Sequence, residues 1–135
     1  MFQIGEVSRR LGLNPQTLYF YERIGLIPSP QRTTAGYRLY DQMALERLSF
    51  ITQAKTLGLN LNEIKELLML QDGQQFSCQE VYDRLLKKVQ DIEAAISKLQ
   101  TLRSQLNVLL NQCQKGLDQS EPGQQCRVFQ ENSMI

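Results

Sequence analysis

The chain contains no histidine and no tryptophan, only three cysteines in 135 residues, and no apolar run long enough to cross a bilayer. Without histidine there is no histidine-based triad, general base or metal ligand, which removes many hydrolase and zinc-enzyme readings. Met1 to Gly12 shows no basic segment followed by an apolar core and a small-residue cleavage site, so the expectation is a soluble, cytoplasmic protein. In that compartment thiols stay reduced, and an odd number of them cannot pair fully within one chain. The length suits one compact domain, or a small domain plus an extended element, and is too short for two catalytic domains.

The net charge of +1 conceals an asymmetry. Residues 1–40 carry Arg9, Arg10, Arg23, Arg32 and Arg38 against Glu6 and Glu22, a balance of +3. Residues 71–135 carry seven basic and eight acidic groups, a balance of −1. A basic head followed by a slightly acidic tail is the distribution expected when only the head meets a polyanion.

Caps and periodicity predict a nearly all-α protein. Ile4, Val7, Leu11 and Leu13 sit close to helical spacing, with Gly12 as a stop. Asn14-Pro15 is an N-cap followed by proline at the first helical position, where its missing N–H costs nothing. That second helix runs to about Ile24, with Gly25 ending it. Two helices joined by a short turn form a helix-turn-helix pattern, and the same pattern also serves as a simple packing unit. Pro28, Pro30 and Gly36 then exclude helix, and the alternation through Tyr37-Arg38-Leu39-Tyr40 predicts a two-stranded wing suited to phosphate contacts, or a solvated loop packed through its tyrosines. Asp41 caps a third helix with apolar positions Leu45, Leu48, Ile51 and Leu57, ending at Gly58. Asn60 and Glu63 form a capping box for a fourth, through Ile64, Leu67 and Leu68.

The segment Thr17-Leu18-Tyr19-Phe20-Tyr21-Glu22-Arg23-Ile24-Gly25-Leu26-Ile27, followed by Arg32 and Gly36-Tyr37-Arg38-Leu39-Tyr40, resembles the MerR family of bacterial transcription regulators. The likeness continues through Ala54 to Leu59 and Glu63 to Leu68. The resemblance implies a winged helix-turn-helix head and a long helix that dimerises antiparallel with its twin. It implies that Gln16, Thr17 and Tyr21 face DNA from the second helix, and Arg32, Tyr37 and Arg38 from the wing. Family members usually carry arginine where this chain has Tyr19, so a phenol stands at an expected charged contact. The resemblance further implies an inverted repeat in promoter DNA as target, RNA polymerase as partner, and activation by operator distortion that brings the promoter elements into register.

From Cys78 to Lys115 the chain has neither glycine nor proline, which predicts one long helix opened by the capping box Ser77-Cys78-Gln79-Glu80. Leu85, Ile92, Leu99 and Leu106 recur at heptad spacing in one phase, with Val89, Ile96 and Leu110 in the other, interrupted by Arg103. A stripe this long predicts pairing with a second chain. The expected organisation is a DNA-binding head at 1–70, a linker at 71–76, a dimerisation helix at 77–113, and a metal-binding loop with the C-terminal tail at 114–135.

Cys78 lies seven residues before Leu85, and Cys113 seven after Leu106, so both share the phase of the seam. Within one straight helix they stand roughly 50 Å apart. An antiparallel dimer brings Cys78 of the partner subunit to Cys113, and the turn Glu121-Pro122-Gly123 returns Cys126. Cys78 opens its helix, where the dipole and free N–H groups favour an anionic thiolate. Each cysteine alone also fits ordinary packing or a loop position. Together, three thiolates without histidine suit a soft divalent ion, Hg(II), Pb(II), Cd(II) or Zn(II), the last two completed by water, Asp118 or Glu121. Within the family that the chain resembles, a cysteine at the head of the dimer helix goes with divalent sensors, and the twelve residues between Cys113 and Cys126 make a longer loop than is usual.

Three rivals remain at this point. A regulator of the same kind could respond to oxidation or to a small organic ligand, although the cysteines are spread along the sequence and little chain remains for a ligand domain. A coiled-coil interaction protein leaves the arginine-rich wing unexplained. An enzyme lacks a nucleophile–base pair or a phosphate-cradling loop.

Overall fold

The computed structural model describes residues 1–119, 123 and 125–131. Its elements in chain order are β1 (Phe2–Gln3), α1 (Ile4–Leu11), α2 (Pro15–Arg23), β2 (Gln31–Arg32), β3 (Arg38–Tyr40), α3 (Gln42–Thr56), α4 (Leu61–Asp72), α5 (Cys78–Gln119) and α6 (Val128–Glu131). Two compact units divide the chain, Met1–Tyr82 and Asp83–Ile135.

In the first unit the helix ends follow from their capping residues. Gly12 closes α1 in the left-handed conformation, φ +66°, which an L side chain rarely adopts. Asn14 accepts a hydrogen bond from the Gln16 N–H at 2.8 Å, with Pro15 at the first position of α2. Asp41 accepts from the Ala44 N–H, and Asn60 and Glu63 exchange reciprocal bonds of 2.8 Å at the start of α4.

The helices close over one core that takes Val7 from α1, Leu18 and Tyr21 from α2, Tyr40 from β3, Leu48 and Ile51 from α3, and Ile64 and Leu68 from α4. The sequence places Leu57 on the apolar face of α3, but it is 66% exposed and Ala54 is buried instead. α3 ends at Thr56 and Leu57 is its C-cap residue, so its side chain lies past the last helical turn rather than on the buried face.

The wing belongs to a three-stranded sheet of order β1-β3-β2 rather than a two-stranded hairpin. Both pairings are antiparallel, with Phe2 opposite Tyr40 and Arg32 opposite Arg38. A two-residue strand running straight into a helix carries no alternation to read, so β1 leaves no mark in the sequence. Arg47 on α3 ties the unit together: its Nε donates to the Leu26 carbonyl at 2.6 Å and its two Nη atoms to the Asp72 carboxylate at 2.8 and 3.2 Å. That pairing sits at the end of α4, which extends through Asp72 into the segment expected to be linker.

The second unit is built on α5. This helix has 42 residues, and none of them is buried among the described residues. It passes through Gly116 and ends at Gln119, six residues beyond the end expected from sequence at Cys113. A glycine inside a helix costs only about 1 kcal/mol relative to alanine, too little to stop a helix already formed on one side. No helix among the described residues is long and apolar enough to cross a membrane.

Candidate functional site

The outer face of α2 and the wing carry the residues expected to meet DNA. Gln16 is exposed and Thr17 half-buried in the first turn of α2, which is where a recognition helix presents side chains to base edges. Leu18 and Tyr21 share the opposite face, and Tyr21 is only 5% exposed. Burial pushes its phenol pKa up, so the ring acts first as a core residue.

Tyr19 and Arg38 are in contact. The Arg38 guanidinium lies 4.4 Å from the Tyr19 ring centroid, and its Nε donates to Glu22 Oε1 at 2.8 Å. Hydrogen bonding to Glu22, ahead of the opposing effect of burial, raises the Arg38 pKa further. The ion pair joins β3 to α2 and fixes the wing against the second helix. Nothing in the sequence pointed to a role for Glu22 in the site, although it is one of only two acids in residues 1–40 and sits one turn after Tyr19.

At the tip of the wing Gly36 adopts φ +91° and its carbonyl accepts from Arg32 Nη1 at 3.0 Å. The Tyr37 N–H donates to Thr33 Oγ1, and the Tyr37 side chain is 67% exposed. Arg10 pairs with Glu6 at 3.1 Å. Arg9, Arg23 and Arg32 have no carboxylate partner among the described residues, so their charge is not offset by an ion pair.

Of the three cysteines, the structure brings two together. Cys113, on α5, and Cys126, shortly before α6, place their Sγ atoms 3.8 Å apart, one thiol donating to the other. That hydrogen bond, then burial, then repulsion between the sulfurs raise the Cys113 pKa. Two sulfurs bound at about 2.3 Å to one tetrahedral zinc stand about 3.8 Å apart, so the pair already has the spacing of one edge of a thiolate metal site. Cys78 is exposed at the first position of α5, where Ser77 Oγ accepts from the Glu80 N–H at 3.2 Å. No group of three histidine, cysteine, aspartate or glutamate side chains able to hold a metal occurs among the described residues. Asp118 joins no such group, and Glu121 lies outside the described residues.

The chain is similar to known proteins in sequence and in fold. Residues 2–71 match the family described as MerR HTH family regulatory protein, and residues 45–109 the family described as MerR, DNA binding. An uncharacterized HTH-type transcriptional regulator of Synechocystis is 46% identical over 113 residues, 84% of this chain and 82% of its own length. The mercuric resistance operon regulatory protein of Bacillus cereus is 40% identical over 117 residues, 87% of this chain and 89% of its own. The crystal structure of the transcription regulator PbrR691 from Ralstonia metallidurans CH34 in complex with lead(II) superposes with a TM-score of 0.82 at 30% identity, covering 98% of this chain and 99% of that one. By these matches the chain belongs to the MerR family of DNA-binding transcription regulators, which are not enzymes.

Proposed function

We propose that the protein is a homodimeric, cytoplasmic transcription activator that senses a soft divalent metal ion, Hg(II), Pb(II), Cd(II) or Zn(II), through cysteine thiolates. The observation that carries this reading is the 3.8 Å separation of Cys113 and Cys126. With Cys78 of the partner subunit as third ligand, each end of an antiparallel dimer would hold one ion. The unpartnered apolar stripe of α5, from Leu85 to Leu110, supports that pairing, because half-exposed residues at heptad spacing are stabilised by burial against a second helix. Similarity to a mercuric resistance regulator and to a lead-bound regulator supports the choice of a soft divalent ion.

The head would bind an inverted repeat in promoter DNA through Gln16 and Thr17 of α2 and Arg32, Tyr37 and Arg38 of the wing. Tyr19 acts there by stacking under Arg38, and the Tyr21 ring supports α2 from the core. Metal must bind the activating conformation better than the repressing one, and this difference shifts the heads, distorts the operator and presents the promoter correctly to RNA polymerase. Closing thiolates around a soft ion supplies several kcal/mol, about 10 or more in structural zinc sites, enough to bias such an equilibrium.

The test is titration of reduced, metal-free protein with each of the four ions and Cu(I), followed by thiolate-to-metal charge-transfer absorption. One three-sulfur ion per chain is expected for at least one divalent ion, with affinity at least tenfold weaker in Cys78→Ser. Equal affinity in the variant would remove Cys78 from the site.

A further inference from the structure

Cys113 and Cys126 are thirteen residues apart in sequence and 3.8 Å apart in space, one half-buried and the other exposed. Both belong to the Asp83–Ile135 unit. The spacing that suits a shared cation is also that of two reactants for a disulfide, since closing to the bond length of about 2.05 Å requires only a short approach of the two sulfurs. The exposed Cys126 is open to a small oxidant.

We propose that Cys113 and Cys126 form a reversible intrachain disulfide when the metal-free protein meets a hydroperoxide, so that oxidation withdraws the pair from metal binding. The Cys126 thiolate attacks one peroxide oxygen and the O–O bond breaks, giving a sulfenic acid and, with a hydroperoxide ROOH, the alcohol ROH after protonation. Cys113 then loses its proton and attacks the Cys126 sulfur; the S–O bond breaks and hydroxide leaves as water. Two thiols are oxidised and one peroxide is reduced, and a dithiol reductant reverses the change. The disulfide itself is independent of the metal reading, whereas its regulatory consequence, silencing of the metal response under oxidation, rests on that reading.

The experiment uses the full chain, reduced and freed of metal, treated with hydrogen peroxide and then alkylated. Thiols labelled per chain should fall from three to one and return to three after dithiothreitol. Trypsin cleaves after Arg103, Lys115 and Arg127, which places Cys113 and Cys126 on adjacent peptides, so their crosslink appears as two peptides joined only through sulfur. The same crosslink is expected in Cys78→Ser and absent in Cys126→Ser. Three labelled thiols after peroxide, irreversible sulfinic acid at either cysteine, or a crosslink joining Cys78 to Cys113 would overturn the proposal. Parallel samples treated with Hg(II), Pb(II), Cd(II) or Zn(II) separate the two readings: protection from the crosslink by any one of them supports both, and a crosslink that none of the four prevents keeps the disulfide while removing the metal site.

Discussion

Arg38 makes its contacts inside the head, to the Glu22 carboxylate and the Tyr19 ring, and any phosphate contact must be made from that anchored position. The pair is mostly shielded from solvent, so a double-mutant cycle of Arg38→Ala and Glu22→Ala in denaturant melts should give a coupling of about 1 kcal/mol. Additive effects would leave the contact without energetic weight. On promoter DNA, Arg38→Ala should also lower the slope of log affinity against log salt by about 1. Weaker binding with an unchanged slope would assign Arg38 to holding the wing alone. Tyr21 separates in the same way: Tyr21→Ala should destabilise the head by about 3 to 5 kcal/mol through the cavity it leaves, while Tyr21→Phe keeps the packing and isolates the hydroxyl's share in DNA binding. The family motif in α2 points Tyr21 at DNA, whereas its packing beside Leu18 makes the ring part of the core. Cys113 sets the expected pH dependence. Its pKa is raised by the hydrogen bond to Cys126, so protons compete with a cation for the Cys113 sulfur at neutral pH, and metal affinity should climb with pH. Spectroscopic titrations across pH 6 to 9 that show no such rise would exclude thiolate ligation.

At the scale of elements, the starts of α2, α3 and α4 were the most legible part of the sequence, because each is set by a capping side chain within three residues: Asn14, Asp41 and Asn60. Ends and short strands were less so. α4 is capped by Gly73, yet the left-handed position is taken by the following residue, Gln74, at φ +57°. α5 ignores Gly116, where an added Cβ would meet nothing within 4 Å. Gly116→Ala should therefore raise the stability of the end of α5 by about 1 kcal/mol, seen as slower amide exchange around Cys113. Faster exchange would mean that the glycine is required for the approach of Cys126. The antiparallel pairing of β1 with β3 escaped sequence reading for a different reason: two residues cannot display a period, and only Tyr40 packing into the core shows where Phe2 must lie.

For the whole molecule, the heptad stripe made α5 legible as one long helix and put Cys78 and Cys113 in one phase. The contact between Cys113 and Cys126 was not legible, because no helical or strand period relates a residue of α5 to one beyond its end. That contact gives the proposed sensor two ligands per chain and leaves the third to a partner. The most direct measurement mixes two variants, Cys78→Ser and the double variant Cys113→Ser/Cys126→Ser, and isolates the mixed dimer by differential tags. One end of it combines Cys78 of one subunit with Cys113 and Cys126 of the other, and the opposite end has no thiol. The account predicts one three-sulfur metal site per mixed dimer and none in either parent homodimer. A mixed dimer that shows no three-sulfur site, or a Cys78→Ser homodimer that binds as the unaltered protein does, would contradict it.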